Sequence, residues 1–342
     1  MNNLLVIRFS SIGDILQCMP AIGAFRASFP GAEIHWLTRS DMAPLLTIDP
    51  RIDRIWEFDR KDGLSGLLKT AFALRREGFT HIYDAHSNIR SAIVKLALCR
   101  PGAGILMGNR RVVTRHKDRL KRLLLFTFRI NLFPKPFRGA MSYLEPLKRF
   151  KGFAALTKPD AAGVEFRFPS DIVQRVDELI MPLKDRHWIC LVPSAAWELK
   201  RWPLEYWQRL VTIMPDTRFI VIGGPRDTLG EKIAGCAPER VVNLAGMSLL
   251  ESLYIVCSAP YVISGDTGFL HAADLFKKPG QALIGPTAFG FPTNQTMTVT
   301  EVTLPCRPCS KDGSGKCRNR EWKKCMRDIT PEMVQERVEG EN

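Results

Sequence analysis

LLVIRFSSIGDIL, residues 4–16, decides the fold. Leu4 to Phe9 form a short apolar β-type run, and Ser10, Ser11 and Gly13 then let the backbone turn tightly. The following ILQCMPAIGAFRASF, residues 15–29, has helical spacing and stops at the turn signal Pro30–Gly31. AEIHWLT, residues 32–38, is a second strand, so the opening is a β-loop-α-β unit whose loop lies at the carboxyl end of the first strand. Open α/β sheets place their ligand crevice there.

Working outward, HIYDAH (81–86) and GILMG (104–108) read as further strands between the helical stretches LLKTAFALRREG (67–78) and SAIVKLALC (91–99). A parallel, doubly wound first domain is the economical reading. Residues 152–170 are polar and broken by Gly and Pro, and they predict the change of domain. The same grammar then repeats. HWICLVPSA (187–195) is strand and loop, PLEYWQRLVTIM (203–214) a helix, RFIVIGG (218–224) a strand, YVISGDTGFLHAADLF (261–276) strand-loop-helix and QALIGPT (281–287) another strand. The expected organisation is one domain over 1–165, a second over 166–328 and a closing helix over 329–342 with Pro331 in its first turn. Two domains also suit 342 residues.

No apolar run is long enough to span a membrane, and the first residues read as a strand rather than a cleavable leader, so a cytoplasmic protein is expected. The formal charge of +14 is concentrated: Arg100 to Lys151 holds fourteen Lys and Arg against Asp118 and Glu145. A cationic face with so few acids points to polyanions, whether nucleic acid, anionic headgroups or phosphorylated glycans. Arg110, Arg111, Arg115, Lys117 and Arg119 lie near the apolar LLLFTF (123–128), a juxtaposition that suits either an interfacial helix or core packing beneath a solvated basic face.

Three constellations carry chemistry. Asp14 follows the first loop, where a carboxylate can be a general base or can simply complement the helix N-terminus. Lys200 and Arg201 in SAAWELKRWP could neutralise a diphosphate. Asp266, Thr267 and Gly268 in SGDTGFLH stand between strand and helix, where backbone N–H groups and a hydroxyl cradle phosphate. The first loop has no G-x-G-x-x-G, which counts against a dinucleotide oxidoreductase.

RFSSIGD (8–14), IYDAHSNIRSA (82–92), KRWP (200–203), FIVIGGPRD (219–227), NLAGMSLLE (243–251), ISGDTGFLHAA (263–273) and ALIGPT (282–287), in that order, resemble glycosyltransferase family 9, the ADP-heptose:lipopolysaccharide heptosyltransferases. The resemblance implies the GT-B fold, two Rossmann-like domains facing across a cleft, with the acceptor on the first and the nucleotide sugar on the second. It implies inverting, metal-independent transfer of a heptose or related sugar from an ADP-sugar to an anionic lipopolysaccharide inner-core acceptor at the inner membrane face. Asp14 becomes the base. The donor set is Ser194, Lys200, Asp227, Met247, Ser248, Asp266, Thr267, Gly268 and His271. Ser10, Ser11, Gly13, Arg110, Arg111, Arg115 and Lys117 form the acceptor set. Two departures leave the sugar open: residues 131–146 lack the family's histidine, and GPTAFGFP (285–292) replaces an acidic residue after GPT. A transferase using another nucleotide sugar and glycan acceptor is the nearby alternative.

Cys306, Cys309, Cys317 and Cys325 read C-x2-C-x7-C-x7-C, a spacing that suits a structural zinc or a packed loop of reduced thiols. No cofactor is expected for transfer. A nucleic-acid-binding protein with a four-cysteine zinc module is the alternative from another class; aromatic residues do not interleave with the basic run, so no nucleic acid is expected.

Overall fold

The computed structural model of the protein describes residues 2–98, 112–154, 166–181 and 187–340. The chain forms two units, Met1–Asp118 with Ala140–Phe168, and Arg119–Gly139 with Pro169–Asn342.

In the first unit β1 (Asn3–Ile7) is followed by α1 (Ile12–Cys18), α2 (Pro20–Ser28), β2 (Glu33–Arg39), β3 (Arg54–Phe58), α3 (Gly63–Arg75), β4 (His81–Asp84), α4 (Ile89–Leu98) and β5 (Val112–Thr114). All pairings are parallel, in the order β3-β2-β1-β4-β5. Leu4 to Ile7 of β1 are all buried, which is why this strand is a continuous apolar run rather than an alternating one. Burying each such side chain contributes about 1.5–3 kcal/mol. The single helix expected over 15–29 is two, because Pro20 has no N–H to donate and starts α2 at its first position.

The chain then enters the second unit with α5 (Arg119–Phe128), returns to the first with α6 (Met141–Leu144), and crosses again at Phe168–Pro169. The second unit continues with α7 (Ser170–Ile180), β6 (Trp188–Val192), α8 (Leu204–Ile213), β7 (Arg218–Val221), α9 (Leu229–Ala234), β8 (Val241–Asn243), α10 (Leu249–Ser258), β9 (Tyr261–Gly265), α11 (Gly268–Leu275), β10 (Gly280–Leu283), β11 (Met297–Thr300), α12 (Lys324–Arg327) and α13 (Pro331–Gly340). Its sheet runs β11-β10-β9-β6-β7-β8, again parallel. Each sheet thus reverses its strand order beside its own first strand, between β1 and β4 and between β6 and β9, and at such a reversal the loops part to leave a crevice.

Two boundaries differ from the sequence expectation. Residues 119–139 belong to the second unit, because their aromatic side chains pack on Phe289. The closing helix is no separate piece: Val334 and Val338 of α13 join the core around Trp207, and Trp202 Nε1 donates to the Ile329 carbonyl at 2.8 Å. The expected strand at 104–108 lies outside the described residues, as do Arg110 and Arg111. Among the described residues no helix is long and apolar enough to cross a membrane.

Candidate functional site

At the crevice of the first unit, Arg8 leaves the end of β1 and is buried, with one terminal nitrogen donating to the Ala85 carbonyl at 2.9 Å and the other 2.6 Å from Asp14 Oδ2. Ser11 Oγ donates to the same oxygen at 2.8 Å, and Tyr143 from α6 donates its hydroxyl to Asp14 Oδ1 at 2.7 Å. The Asp14 side chain remains 39% accessible, so a ligand can reach it. Burial by itself would raise the Asp14 pKa, but Arg8, the Tyr143 and Ser11 hydroxyls and Arg115 outweigh it and hold the carboxyl well below the usual carboxylate range. Tyr143 is pushed the other way, by burial first and then by the Asp14 charge, so it stays a donor. The Ser11 N–H also approaches Asp14 Oδ2, at 3.4 Å, so Asp14 complements the helix start as well as facing the crevice.

Cations surround this carboxylate. The Arg115 guanidinium lies 3.8 Å from the Tyr143 ring centroid and donates to Ser142 Oγ at 2.7 Å. Lys117 is depressed by burial and by the charges of Arg8 and Arg115, and His86, lowered to about 4 by burial, Arg8 and Lys117, is neutral near pH 7. Behind them Asp84 at the end of β4 is buried and held by Lys95 at 2.7 Å and Ser91 Oγ at 2.9 Å, which fixes the neighbouring strand end. Of the expected acceptor set, Ser10, Ser11, Gly13, Arg115 and Lys117 belong to this unit with Asp14. Arg8 and Tyr143 went unrecognised: Arg8 stood in the motif without a partner in view, and nothing in the sequence ties Tyr143 to a residue 129 positions earlier.

In the second unit the turn after β6 brings Lys200 Nζ to 3.1 Å from Asp266 Oδ2, both side chains being largely buried. Thr287 donates to the same oxygen at 2.6 Å, and His271 Nε2 lies 3.9 Å from Oδ1. Burial would raise the Asp266 pKa; Lys200, His271 and Thr287 lower it overall, so the pair is ionic. Thr267 caps α11, accepting from the Leu270 N–H at 3.3 Å, and Gly268 is the first residue of that helix. Ser194 Oγ and Asp227 Oδ2 are buried with no hydrogen-bond partner among the described residues, although Asp227 Oδ1 accepts from the Leu229 N–H at 3.0 Å. Met247 is half-buried beside Ser248, whose hydroxyl caps α10 in a reciprocal pair with Glu251. Arg201 is spent locally, donating to the Ala195 carbonyl at 2.9 Å.

The four-cysteine segment builds one wall of this site. Cys309 and Ser310 donate their N–H groups to the Pro286 carbonyl at 2.9 and 3.1 Å. Gly313 then passes Lys200 so closely that a Cβ there would stand 2.4 Å from Lys200 Cγ, and its φ of +90° favours glycine independently. The thiols of Cys306, Cys309, Cys317 and Cys325 are free, and Cys325, buried, is pushed up to about 11. Among the described residues no group of three or more His, Cys, Asp or Glu is placed to hold a metal ion.

Comparison with known proteins gives one family. Glycosyltransferase family 9 (heptosyltransferase) matches residues 67–323. Lipopolysaccharide heptosyltransferase 1 of Escherichia coli K12 is 22% identical over 299 residues, covering 83% of this chain and 88% of its own. Lipooligosaccharide heptosyltransferase 2 of Haemophilus influenzae is 23% identical over 363 residues, covering 98% of both. The solved ADP-heptose lipopolysaccharide heptosyltransferase II of E. coli superposes with a TM-score of 0.73 at 18% identity, over 99% of this chain and 98% of its own. The fold shared with it is GT-B, and each of the two parallel-sheet units here is one of its Rossmann-like domains.

Proposed function

We propose, from the premise that this chain belongs to glycosyltransferase family 9, that it transfers a heptose from an ADP-sugar to an anionic inner-core lipopolysaccharide acceptor with inversion at the anomeric carbon. The observation that carries the reading is Asp14: an accessible carboxylate held ionised in the first turn of α1, the helix that follows the central strand β1. The acceptor hydroxyl gives its proton to Asp14 as its oxygen bonds to the anomeric carbon, and the bond from that carbon to the diphosphate oxygen breaks on the opposite face. A carboxylate held so far down is a weak base towards a resting alcohol. It therefore takes the proton only as the forming bond makes that alcohol acidic, in one step with departure of the diphosphate. Arg115 and Lys117 meet the acceptor's anionic groups.

On the donor side, Lys200 and the N–H groups at the start of α11 take up the negative charge of the leaving diphosphate, so the step uses no metal ion. Asp227 Oδ2 and Ser194 Oγ, lacking partners among the described residues, accept and donate to the nucleotide, Asp227 at the ribose. Met247 and Ser248 line the base pocket. A structural zinc on Cys306, Cys309, Cys317 and Cys325 and a packed loop of reduced thiols are the two readings of that segment; about one zinc per chain by elemental analysis supports the first, and none supports the second.

The acceptor is carried by a lipid, so the enzyme works in the cytoplasm against the inner membrane face. Calorimetry with ADP-, UDP- and GDP-sugars tests the donor: tight binding of the ADP-sugar alone supports the reading, and preference for UDP or GDP overturns it.

A further inference from the structure

Residues 119–139 carry six Lys and Arg and no acid, and they sit on the second unit although the chain on either side belongs to the first. One side of the segment is built in. Phe126, Phe133 and Phe137 meet the Phe289 ring edge-on, with centroids 5.9, 5.1 and 5.0 Å away, and the Arg122 guanidinium lies 4.4 Å from the same centroid. Arg129 donates to the Pro308 carbonyl at 2.8 Å, Arg138 to that of Thr293 at 2.9 Å, and Arg318 to that of Phe126 at 3.2 Å. The segment is thereby held in one pose.

Its other side is open. Leu120, Leu123, Phe128, Ile130 and Leu132 are 68%, 53%, 61%, 50% and 53% exposed. Leu120 and Leu123 share one stripe of α5, and the other three continue from its end. Single exposed apolar side chains are ordinary on a protein surface, but five large ones in thirteen residues mark a contact surface. Charge selects the occupant. Arg119, Lys121 and Arg129 interleave with these side chains, and Arg318 joins from the four-cysteine segment, which carries Lys316 and Arg320 as well. Apolar groups among cations, with no acid in residues 119–139, complement the boundary of an anionic bilayer, where acyl chains take the first and headgroup phosphates the second.

We propose that the face of Leu120, Leu123, Phe128, Ile130 and Leu132, with its flanking cations, docks the protein on an anionic lipid surface. Docking is thus borne by the donor-side unit, whereas the cations Arg115 and Lys117 beside Asp14 remain with the other unit. The inference deepens the membrane location proposed above by naming the surface. Its test uses neither donor nor acceptor, so its failure leaves the transfer chemistry standing.

The full-length protein is sedimented with phosphatidylcholine vesicles made with and without phosphatidylglycerol, at low and high salt. Expected is binding that requires phosphatidylglycerol and weakens with salt. Leu120→Ser with Leu123→Ser should lower partitioning about tenfold or more, and Arg119→Glu should lower it too, with melting temperature and ADP affinity unchanged. The proposal is overturned if the wild type ignores phosphatidylglycerol, or if the folded serine variant binds vesicles as the wild type does. It is overturned equally if the wild type is a dimer that the serine changes dissociate while vesicle binding persists, since a second copy would then cover this face.

Discussion

Arg8 and Asp14 in the first unit, and Lys200 and Asp266 in the second, are both cation–carboxylate pairs at the reversal of a parallel sheet, yet they are exposed in opposite senses. Asp14 keeps 39% of its side chain open while Arg8 beside it is closed in at 6%; Lys200 and Asp266 stand at 15% and 11%. In the first pair the cation is enclosed and the carboxylate is open to the crevice. In the second, the carboxylate is enclosed by Lys200, Thr287 and Gly290, where even an added Cβ would fall 2.2 Å from Asp266 Cγ, and it holds the lysine in an ion pair. One topology thus leaves an anion open in the first unit and encloses an ion pair in the second; on the proposed function the anion serves the acceptor and the lysine the donor.

Substitutions break this asymmetry in a graded way. If Asp14 is the base, Asp14→Ala should lower turnover with the alcohol acceptor by about 10² to 10⁴ while ADP affinity holds, because the change lies in the first unit alone. Lys200→Ala should weaken binding of the diphosphate sugar by about 10-fold to 100-fold, and that of free adenosine hardly at all. Equal losses for both ligands, or a collapse in melting temperature from an uncompensated Asp266, would assign Lys200 to folding instead.

Tyr143→Phe removes one donor from Asp14 and should cost a few-fold in turnover, about what one hydrogen bond contributes. Its signature is in the pH profile. The base form of Asp14 exists above its folded pKa, which lies below the usual carboxylate range, so the wild type should show no acid limb from Asp14 between about pH 5 and 8. The Phe variant should move that limb upward. An unshifted profile would show that the hydroxyl does not reach the carboxylate in solution.

The smallest effect is on stability. His86 is lowered to about 4 in the folded protein, so between its ordinary value of about 6.5 and that value the unfolded chain takes up a proton that the folded chain refuses. Stability therefore falls as the pH falls through this window, and His86→Gln should flatten the melting temperature over it. An equally steep fall in the variant would place the titration on other groups.

The strands were legible because β1, β6 and β9 are buried on both faces and appear as unbroken apolar runs. Asp14, Lys200 and Asp266 were legible for a related reason: Asp266 directly follows such a run, and Asp14 and Lys200 follow one by seven and eight residues. Tyr143 was not, since α6 reaches Asp14 only after the chain has crossed to the other unit and returned. The placement of α5 was hidden similarly; its anchor, Phe289, comes more than 150 residues later, and an amphipathic basic helix carries no mark of which body its inner face will meet.

The most direct test of Asp14 as the base replaces the acceptor by azide, a nucleophile with no proton to lose. Asp14→Ala should then consume ADP-heptose at the wild-type rate, giving the inverted glycosyl azide and ADP, while transfer to the alcohol stays depressed by about 10² to 10⁴. If azide and alcohol reactions fall together, Asp14 serves the architecture of the α1 turn and not the proton transfer.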